Sequence, residues 1–172
     1  MKTFKPPEVL PARGSSGIIP MSVFLAGSIG GNDNLTELAA DWQDDLSKFF
    51  SESGQVDALF NPRRDDWDST WKQSIDDPRF AEQVNWEMDA LEAAQTIVMY
   101  FDPKTKAPIS LLELGLHAKE GKVLVICPDG FWRKGNVEVV CKRLDIPLYN
   151  SIEDFKEDFK SYLLSVKIAS SF

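Results

Sequence analysis

A glutamate placed among leucines is the side chain in this sequence that is best suited to carry out a reaction. Glu113 belongs to the segment 108–120, in which an initial proline and apolar residues at three- and four-residue spacing predict a helix. The apolar residues of that helix face are Ile109, Leu112 and Leu116. A glutamate that served only solubility would lie on the opposite side, whereas Glu113 falls at the edge of the apolar face. We therefore expect Glu113 to be half buried near the start of a helix.

The reactive groups that the sequence offers are mainly carboxyl groups. Two of them in a partly apolar cleft suit a reaction at a glycosidic carbon, because an ionised one can attack the sugar while a protonated one donates to the leaving group. Burial raises the pKa of a carboxyl group, so Glu113 needs a hydrogen-bond donor to stay ionised. Ser28, Tyr100 or a backbone N–H could be that donor, and the sequence does not choose among them.

Several common kinds of catalytic site find no support in the sequence. His117 is the only histidine, and no nearby cysteine accompanies it, which disfavours both a Ser-His-Asp triad and a histidine metal site. Neither a Walker A motif nor a G-x-G-x-x-G motif is present, and the two cysteines form neither a disulfide framework nor a zinc motif. We therefore expect neither a metal ion nor a cofactor.

The elements that must position Glu113 alternate between strand and helix along the chain. Buried strands are predicted at 21–26, 56–60, 96–101, 122–127 and 146–149, each followed by an amphipathic helix. This alternation predicts an α/β fold with one doubly wound, five-stranded parallel sheet, flavodoxin-like or Rossmann-like. The expected strand order 2-1-3-4-5 brings the carboxyl ends of the first and third strands together at the switch point.

Loops at the carboxyl ends of three strands carry glycines and polar side chains. The first is 27–31, with Gly27 and Ser28, where glycines either admit a polar ligand or serve an ordinary turn. The second is 61–68, which is either a solvated loop whose charges pair among themselves or a ligand-binding loop with stacking tryptophans. Asp102 ends the third strand. The alternatives for the first two loops stay open at this point.

The second of the long helical patterns also contains acids. In the segment from Pro78, a core stripe is predicted from four apolar residues, Phe80, Val84, Met88 and Leu91. Asp89 falls in the adjoining polar stripe, so periodicity alone indicates a surface acid. The loop after the second strand likewise holds two adjacent acids and a tryptophan, namely Asp65, Asp66 and Trp67.

Length and composition limit the classes of protein that fit. The 172 residues and 43% hydrophobic content suit one domain at 20–172, preceded by a proline- and glycine-rich arm at 1–19 that we expect to be flexible. A net charge of −8 argues against wrapping a nucleic acid. No apolar run approaches the ~18 residues of a membrane span, and the N-terminus lacks the apolar core of a signal peptide. We expect a cytoplasmic protein without membrane or nucleic-acid partners.

Five short segments resemble the nucleoside 2-deoxyribosyltransferase family. They are 23–28, 61–67, 85–89, 97–102 and 113–115. In that family the glutamate before Leu-Gly attacks the anomeric carbon, releases the base and holds a covalent deoxyribosyl intermediate until a second base accepts the sugar. The resemblance therefore implies that Glu113 is the nucleophile and that Asp89 is the acid that helps to orient the sugar and the nucleophile.

The resemblance also implies positions for substrate binding. The loop residues Asp65, Asp66 and Trp67 fall where family members hold the base, and Gly27 and Ser28 fall at the matching strand end. Family members complete their sites with a neighbouring subunit in a homo-oligomer, which can be a dimer, tetramer or hexamer. Asn136 is the candidate for that contact.

The pattern 108–115 resembles a divergent branch of the family more than its best-known members, and two further positions depart from the family pattern. Ala107 stands six residues before the nucleophile, where family members commonly have aspartate or serine, so Asp102 or Ser110 would have to substitute. Phe24 stands where a tyrosine often touches the nucleophile, and a phenylalanine cannot donate a hydrogen bond.

Base exchange on 2′-deoxynucleosides, with retention, is the function that the resemblance implies. Its partners would be deoxynucleosides and free purine or pyrimidine bases, as in nucleotide salvage. One alternative is an N-glycosidase that hydrolyses nucleosides or their 5′-monophosphates, with Ser28, Arg63 or Arg64 as candidates to hold the phosphate. A second alternative is a non-catalytic nucleotide-binding domain.

Overall fold

Strands and helices alternate through most of the chain. The computed structural model of the protein describes residues 1–28, 41–68 and 70–169. Its strands are β1 (Lys2–Phe4), β2 (Ile19–Gly27), β3 (Ala58–Phe60), β4 (Ala94–Tyr100), β5 (Val123–Ile126) and β6 (Leu148–Tyr149). Its helices are α1 (Asp41–Ser53), α2 (Pro78–Ala93), α3 (Pro108–His117), α4 (Lys134–Leu144) and α5 (Ile152–Ala169). None of the helices in this part of the chain has the length and apolar character needed to cross a membrane.

The strands form one open sheet in which every pairing is parallel. Its order is β1-β3-β2-β4-β5-β6. The five predicted strands correspond to β2 through β6, and both the predicted parallel α/β sheet and the predicted order of those five strands are confirmed. β2 and β4 are neighbours, with Gly27 opposite Tyr100, so their carboxyl ends meet at one edge of the sheet as expected.

A sixth strand lies in the N-terminal segment, where the sequence predicted none. Lys2 pairs with Ala58 and Phe4 with Phe60, and the rings of Phe4 and Phe60 lie 5.8 Å apart. Three residues are too few to show a strand period, so this edge strand forms because β3 and a buried aromatic partner are available to it. Residues 5–18 contain neither helix nor strand. The flexibility of the arm and the domain division at residue 20 remain predictions.

Helices cover both faces of the sheet. α2, α3 and α4 pack on the face that presents Phe24, Ile97 and Met99, whereas α1 and α5 pack on the face that presents Leu25 and Val98. Neighbouring residues of β2 and β4 therefore point into different cores, as parallel strands buried on both sides require. The predicted helix start near residue 34 and the glycines at 30 and 31 lie outside the described residues.

The orientation of α3 differs from the prediction. Ile109, Leu112 and Leu116, which the spacing placed in the core, are 60%, 59% and 59% exposed. The buried residues of this helix are Ser110, Leu114 and His117. The helix has two stripes at helical spacing, and the one with the smaller side chains packs on the sheet. The larger apolar stripe faces outward, and Glu113 lies half buried between the two.

Candidate active site

Two glutamates on neighbouring helices form a pair of interacting carboxyl groups. Glu113 lies on α3 and Glu87 on α2, and both helices pack on the same face of the sheet. Burial, reinforced by the negative charge of Glu87, raises the pKa of Glu113 to about 8. Burial also raises the pKa of Glu87 to about 7. The two groups therefore titrate near neutral pH as a pair, and each makes the ionisation of the other more costly.

The local sequence of α3 accounts for the position of Glu113. Pro108 occupies the start of the helix, and Ala107 before it is in the left-handed conformation, with φ of 45°. Leu114 turns into the core, which leaves the preceding residue at the border of the buried face. The Glu113 carboxyl group forms no hydrogen bond and no ion pair with any of the described residues. This absence agrees with the direction of its pKa, since nothing offsets the loss of solvation.

Glu87 is held by a neighbouring amide. α2 begins at Pro78, after Asp77 caps it by accepting from the backbone N–H of Arg79. One turn before Glu87, the side-chain N–H₂ of Gln83 donates to Glu87 Oε1 at 2.7 Å and to the carbonyl oxygen of Pro62 at 2.8 Å. The hydrogen bond to Glu87 lowers the pKa of this carboxyl group, against the larger opposite effect of burial.

Asp89 lies on another side of α2, so the structure does not bring it to Glu113. Its side chain is 64% exposed, and its Oδ1 lies 3.6 Å from Nη2 of Arg13. Two residues correspond to about 200° around a helix, which separates Asp89 from Glu87. Within the matched motif 85–89, Glu87 is therefore the carboxyl group beside the predicted nucleophile.

The predicted core stripe of α2 is only partly correct: Leu91 is buried, but Phe80 and Val84 are only partly buried, and sequence reasoning missed Glu87. The helix buries Gln83, Trp86, Ala90, Leu91 and Ala93, whereas Met88 of the predicted stripe is 50% exposed. Glu87 shares the helical spacing of this buried set. A polar Gln83 one turn before a glutamate, next to a tryptophan, was the signal that could have identified it.

The donors proposed for Glu113 from sequence have other partners. The hydroxyl groups of Ser28 and Thr105 lie 2.5 Å apart, and Ser28 Oγ also accepts from the backbone N–H of Asp102 at 3.4 Å. The Tyr100 side chain is on the α1 and α5 face, where its ring lies 5.3 Å from that of Trp42. Tyr100 therefore lies across the sheet from α3.

Hydrogen bonds join the carboxyl ends of β2 and β4. Ser28 contacts both Asp102 and Thr105, and Asp102 is buried, with Oδ1 accepting from the backbone N–H of Lys104 at 2.7 Å. Gly27 has a φ of 150°, and a Cβ there would overlap the carbonyl oxygen of Tyr100. Packing alone therefore accounts for this glycine.

Phe24 and Asn136 occupy very different surroundings. Phe24 is fully buried in β2, on the face that α2 and α3 cover. Asn136 is exposed in the first turn of α4, where its backbone N–H donates to the carbonyl oxygen of Arg133 at 3.0 Å. Beside α4, the half-exposed Trp132 donates from Nε1 to the carbonyl oxygen of Lys106 at 3.0 Å. Trp132 thus joins the loop that precedes α3, and the sequence had not singled it out.

The acids of the loop after β3 are engaged in ion pairs. Asp65 Oδ1 accepts from Lys5 Nζ at 2.5 Å, and Asp66 Oδ1 accepts from Arg64 Nε at 2.6 Å. The latter hydrogen bond lowers the pKa of Asp66. The Arg64 guanidinium also donates to Glu82 on α2 at 2.7 Å. These contacts agree with the solvated-loop interpretation of the charges.

The aromatic part of the same loop remains partly open. Trp67 is 38% exposed and its ring lies 5.0 Å from that of Trp71, which is buried. The guanidinium of Arg64 lies over the other tryptophan, 5.0 Å from the ring centre of Trp71. All three predicted base-binding residues have exposed surface, and Asp65 and Asp66 are the two that are held in ion pairs.

A protein metal site finds no support within the described residues. They contain no group of three or more histidine, cysteine, aspartate or glutamate side chains that could hold a metal ion. His117 is buried, with Nδ1 2.9 Å from Glu120 Oε1, and Glu120 in turn pairs with Lys122. The titratable groups that stand out in this part of the chain are instead Glu87 and Glu113, whose pKa values are both raised by burial.

The described part of the chain thus combines a parallel α/β sheet with two half-buried carboxyl groups on helices that pack on the same face of that sheet. A family model described as "Nucleoside 2-deoxyribosyltransferase like" matches residues 20–131, about two thirds of the chain. The chain belongs to this family, as its short motifs indicated. The matched region contains Glu87, Glu113 and the other predicted site residues except Asn136. No curated protein matches the chain.

Proposed function

We propose that the protein is a nucleoside 2′-deoxyribosyltransferase, which exchanges the base of 2′-deoxynucleosides through a covalent intermediate on Glu113. The observation that carries this proposal is the state of the Glu113 carboxyl group. It is half buried, has no described hydrogen-bond or ionic partner, and interacts with a second carboxyl group. None of the described residues donates a hydrogen bond that would keep Glu113 ionised, so Glu113 is mostly protonated near pH 7 in the free protein. It must lose that proton before it attacks, and Glu87 is the neighbouring group that can hold it.

The reaction is a double displacement at C1′ of the sugar. Ionised Glu113 forms a C1′–O bond while the C1′–N bond breaks, and the electron pair of the C1′–N bond leaves with the base. The base takes up the proton that Glu87 holds, and the acceptor base returns a proton to Glu87 in the second displacement. A nitrogen of the second base then attacks C1′ and releases the Glu113 carboxylate. Two inversions at the same carbon produce overall retention.

Glu87 takes the role that the resemblance suggested for Asp89. One proton on the carboxyl pair must reside on Glu87 while Glu113 attacks, and the pKa values of about 7 and 8 keep such a proton on the pair near neutral pH. Positive charge that develops at C1′ stabilises the ionised form of Glu113. The substrate therefore favours transfer of the proton from Glu113 to Glu87.

The remaining predicted residues have proposed roles in binding. Ser28 and Asp102, polar and buried at the ends of β2 and β4, are assigned to the sugar side of the crevice. Trp67 is assigned to the base, since its exposed ring can stack on a heterocycle. Gly27 and Phe24 shape the strand end. The ion pairs of Asp65 and Asp66 would have to open for either acid to bind a base directly.

A second copy of the chain is the proposed partner of the outer face of α3. Three large apolar side chains there are more than half exposed, which a monomer rarely leaves open to water. We propose a cytoplasmic homo-oligomer that functions in nucleoside salvage, with exposed Asn136 as a candidate contact to a neighbouring site. Light scattering coupled to size exclusion measures the subunit number, and a monomeric mass would contradict the proposal.

The hydrolase alternative for nucleoside 5′-monophosphates has weaker support. Arg64 is paired with both Asp66 and Glu82, and Ser28 is bonded to Thr105, so these candidate phosphate ligands already have partners. These contacts favour an unphosphorylated nucleoside as substrate.

Chromatography of a reaction with deoxyinosine and free adenine distinguishes the candidates. A transferase forms deoxyadenosine and hypoxanthine, a hydrolase forms hypoxanthine and free deoxyribose, and a binding domain forms neither. Mass spectrometry of protein mixed with deoxyinosine alone should detect a deoxyribosyl adduct on the peptide that contains Glu113. Formation of deoxyadenosine by Glu113→Gln at the rate of the unchanged protein would exclude the proposed mechanism.

A further inference from the structure

The buried amide of Gln83 connects the loop after β3 to the carboxyl pair. Gln83 is only 5% exposed, and its two N–H groups are directed at the Pro62 carbonyl oxygen, 2.8 Å away, and at Glu87 Oε1, 2.7 Å away. A backbone carbonyl can only accept a hydrogen bond, so the contact with Pro62 fixes which end of the amide is the nitrogen. The amide oxygen is buried and has no partner among the described residues.

This hydrogen bond distinguishes the two oxygens of Glu87. Oε1 accepts from Gln83, and in a neutral carboxyl group the oxygen that accepts is the carbonyl oxygen rather than the one that carries the proton. Protonation of Glu87 on Oε1 would place an O–H against the Gln83 N–H and would remove the bond. The geometry therefore leaves Oε2 as the oxygen that takes up a proton.

We propose that Gln83 is a positioning residue, which holds Glu87 so that Oε2 receives the proton from Glu113. Its second hydrogen bond, to the carbonyl oxygen of Pro62, links the orientation of Glu87 to the loop 61–68. The proposal rests on the proposed function. Because Glu113 and Glu87 are not hydrogen-bonded to each other, the proton passes through an intervening water: the O–H bond of Glu113 breaks, an O–H bond to Glu87 Oε2 forms, and the Gln83 bond to Oε1 is kept. Glu113 is left as the carboxylate.

Among the described side chains, Gln83 is the one that shifts the pKa of Glu87 through a hydrogen bond. Within the described residues, Gln83 from α2 itself is the donor that faces Glu87, and Glu87 is the charged group whose field acts on Glu113 of α3. In the loop after β3, the Arg64 guanidinium pairs with Asp66 and with Glu82. Removal of the Gln83 amide therefore acts on the carboxyl pair without changing another charge.

Titration of Glu87 alone tests the contact and does not depend on turnover. In the Glu113→Gln background, carbon-13 NMR of the glutamate carboxyl groups follows Glu87 with Gln83 present or replaced by methionine, which has similar volume and no donor. We expect the Glu87 midpoint to rise by roughly 0.5 to 1 in pH, as the loss of one hydrogen bond implies. Gln55→Met is the matched control, because Gln55 also has an unpartnered amide oxygen but follows α1 at the other edge of the sheet. An unchanged Glu87 midpoint in Gln83→Met would overturn the proposal.

The pH dependence of base exchange tests the positioning role. For Gln83→Met in the otherwise unchanged protein, both limbs of the kcat/KM profile should move to higher pH and kcat should fall roughly tenfold, the equivalent of about 1.4 kcal/mol. Gln83→Asn, which keeps an amide, should recover part of kcat, whereas Gln55→Met should leave the profile unchanged. A profile for Gln83→Met that coincides with that of the unchanged protein refutes the positioning role. If the unchanged protein exchanges no bases, the proposed function fails, and the NMR titration still decides whether Gln83 holds Glu87.

Discussion

Replacement of the predicted nucleophile by glutamine should stabilise the folded protein at neutral and alkaline pH. The pKa of Glu113 is raised to about 8 in the folded state by burial and by Glu87. An unfolded chain exposes the same carboxyl group to water, where its pKa returns to about 4.3. The folded state therefore binds the proton more tightly, and its ionisation between these pH values lowers the free energy of unfolding. Glutamine at this position cannot ionise and is free of that cost.

The size of the effect follows from the two pKa values. Their difference is between about 3.5 and 4, which at about 1.4 kcal/mol for each pKa unit corresponds to roughly 5 kcal/mol. In the unchanged protein, the contribution of Glu113 to the free energy of unfolding should be fully present below about pH 4. This contribution should be lost as the pH rises to about 8. Relative to it, Glu113→Gln should gain little near pH 4, roughly 3 kcal/mol at pH 7 and roughly 5 kcal/mol above pH 9.

Urea denaturation followed by circular dichroism at a series of pH values between 4 and 9, at constant ionic strength, measures this difference. Glu157→Gln is the control, because Glu157 is exposed on α5 and should give a curve parallel to that of the unchanged protein. The double variant Glu87→Gln with Glu113→Gln should show the weakest dependence on pH, since both half-buried carboxyl groups are gone. Parallel curves for Glu113→Gln and the unchanged protein would refute the reasoning, because Glu113 would then be solvated in the folded state.

Further substitutions test the site and the fold. Glu87→Gln should lower kcat/KM for base exchange at least 100-fold, whereas Asp89→Asn should change it less than threefold; the opposite ranking would return the acid role to Asp89. Gly27→Ala should cost roughly 3 kcal/mol in urea denaturation, because the added Cβ meets a backbone carbonyl oxygen of β4; a stable variant would contradict that packing. Asp145→Gly should raise the free energy of unfolding by about 1 kcal/mol, since Asp145 ends α4 with a φ of 55°; an unchanged midpoint would mean that the aspartate is not strained. Leu112→Lys on the outer face of α3 should reduce the mass in light scattering to that of a monomer, and an unchanged mass would place the interface elsewhere.

The sheet could be predicted because its signals are local. Five apolar runs separated by helices allow only a few topologies, and the expected flavodoxin-like order is the one observed for β2 to β6. Pro108 likewise predicted the start of α3. Glu113 is half buried as expected, but the apolar face from which this was inferred is exposed, so the spacing did not explain it. β1 could not be found in this way, because a three-residue strand owes its existence to its partner β3.

The rotation of the helices about their own axes depended on tertiary packing. Both α2 and α3 carry more than one stripe at helical spacing, and in α3 the stripe that packs on the sheet is less apolar than the exposed one. This rotation replaced Asp89 by Glu87 as the carboxyl group beside Glu113 and turned the leucines of α3 outward. Each residue advances a helix by about 100°, so the identity of the second carboxyl group is decided by contacts between elements and not by local sequence.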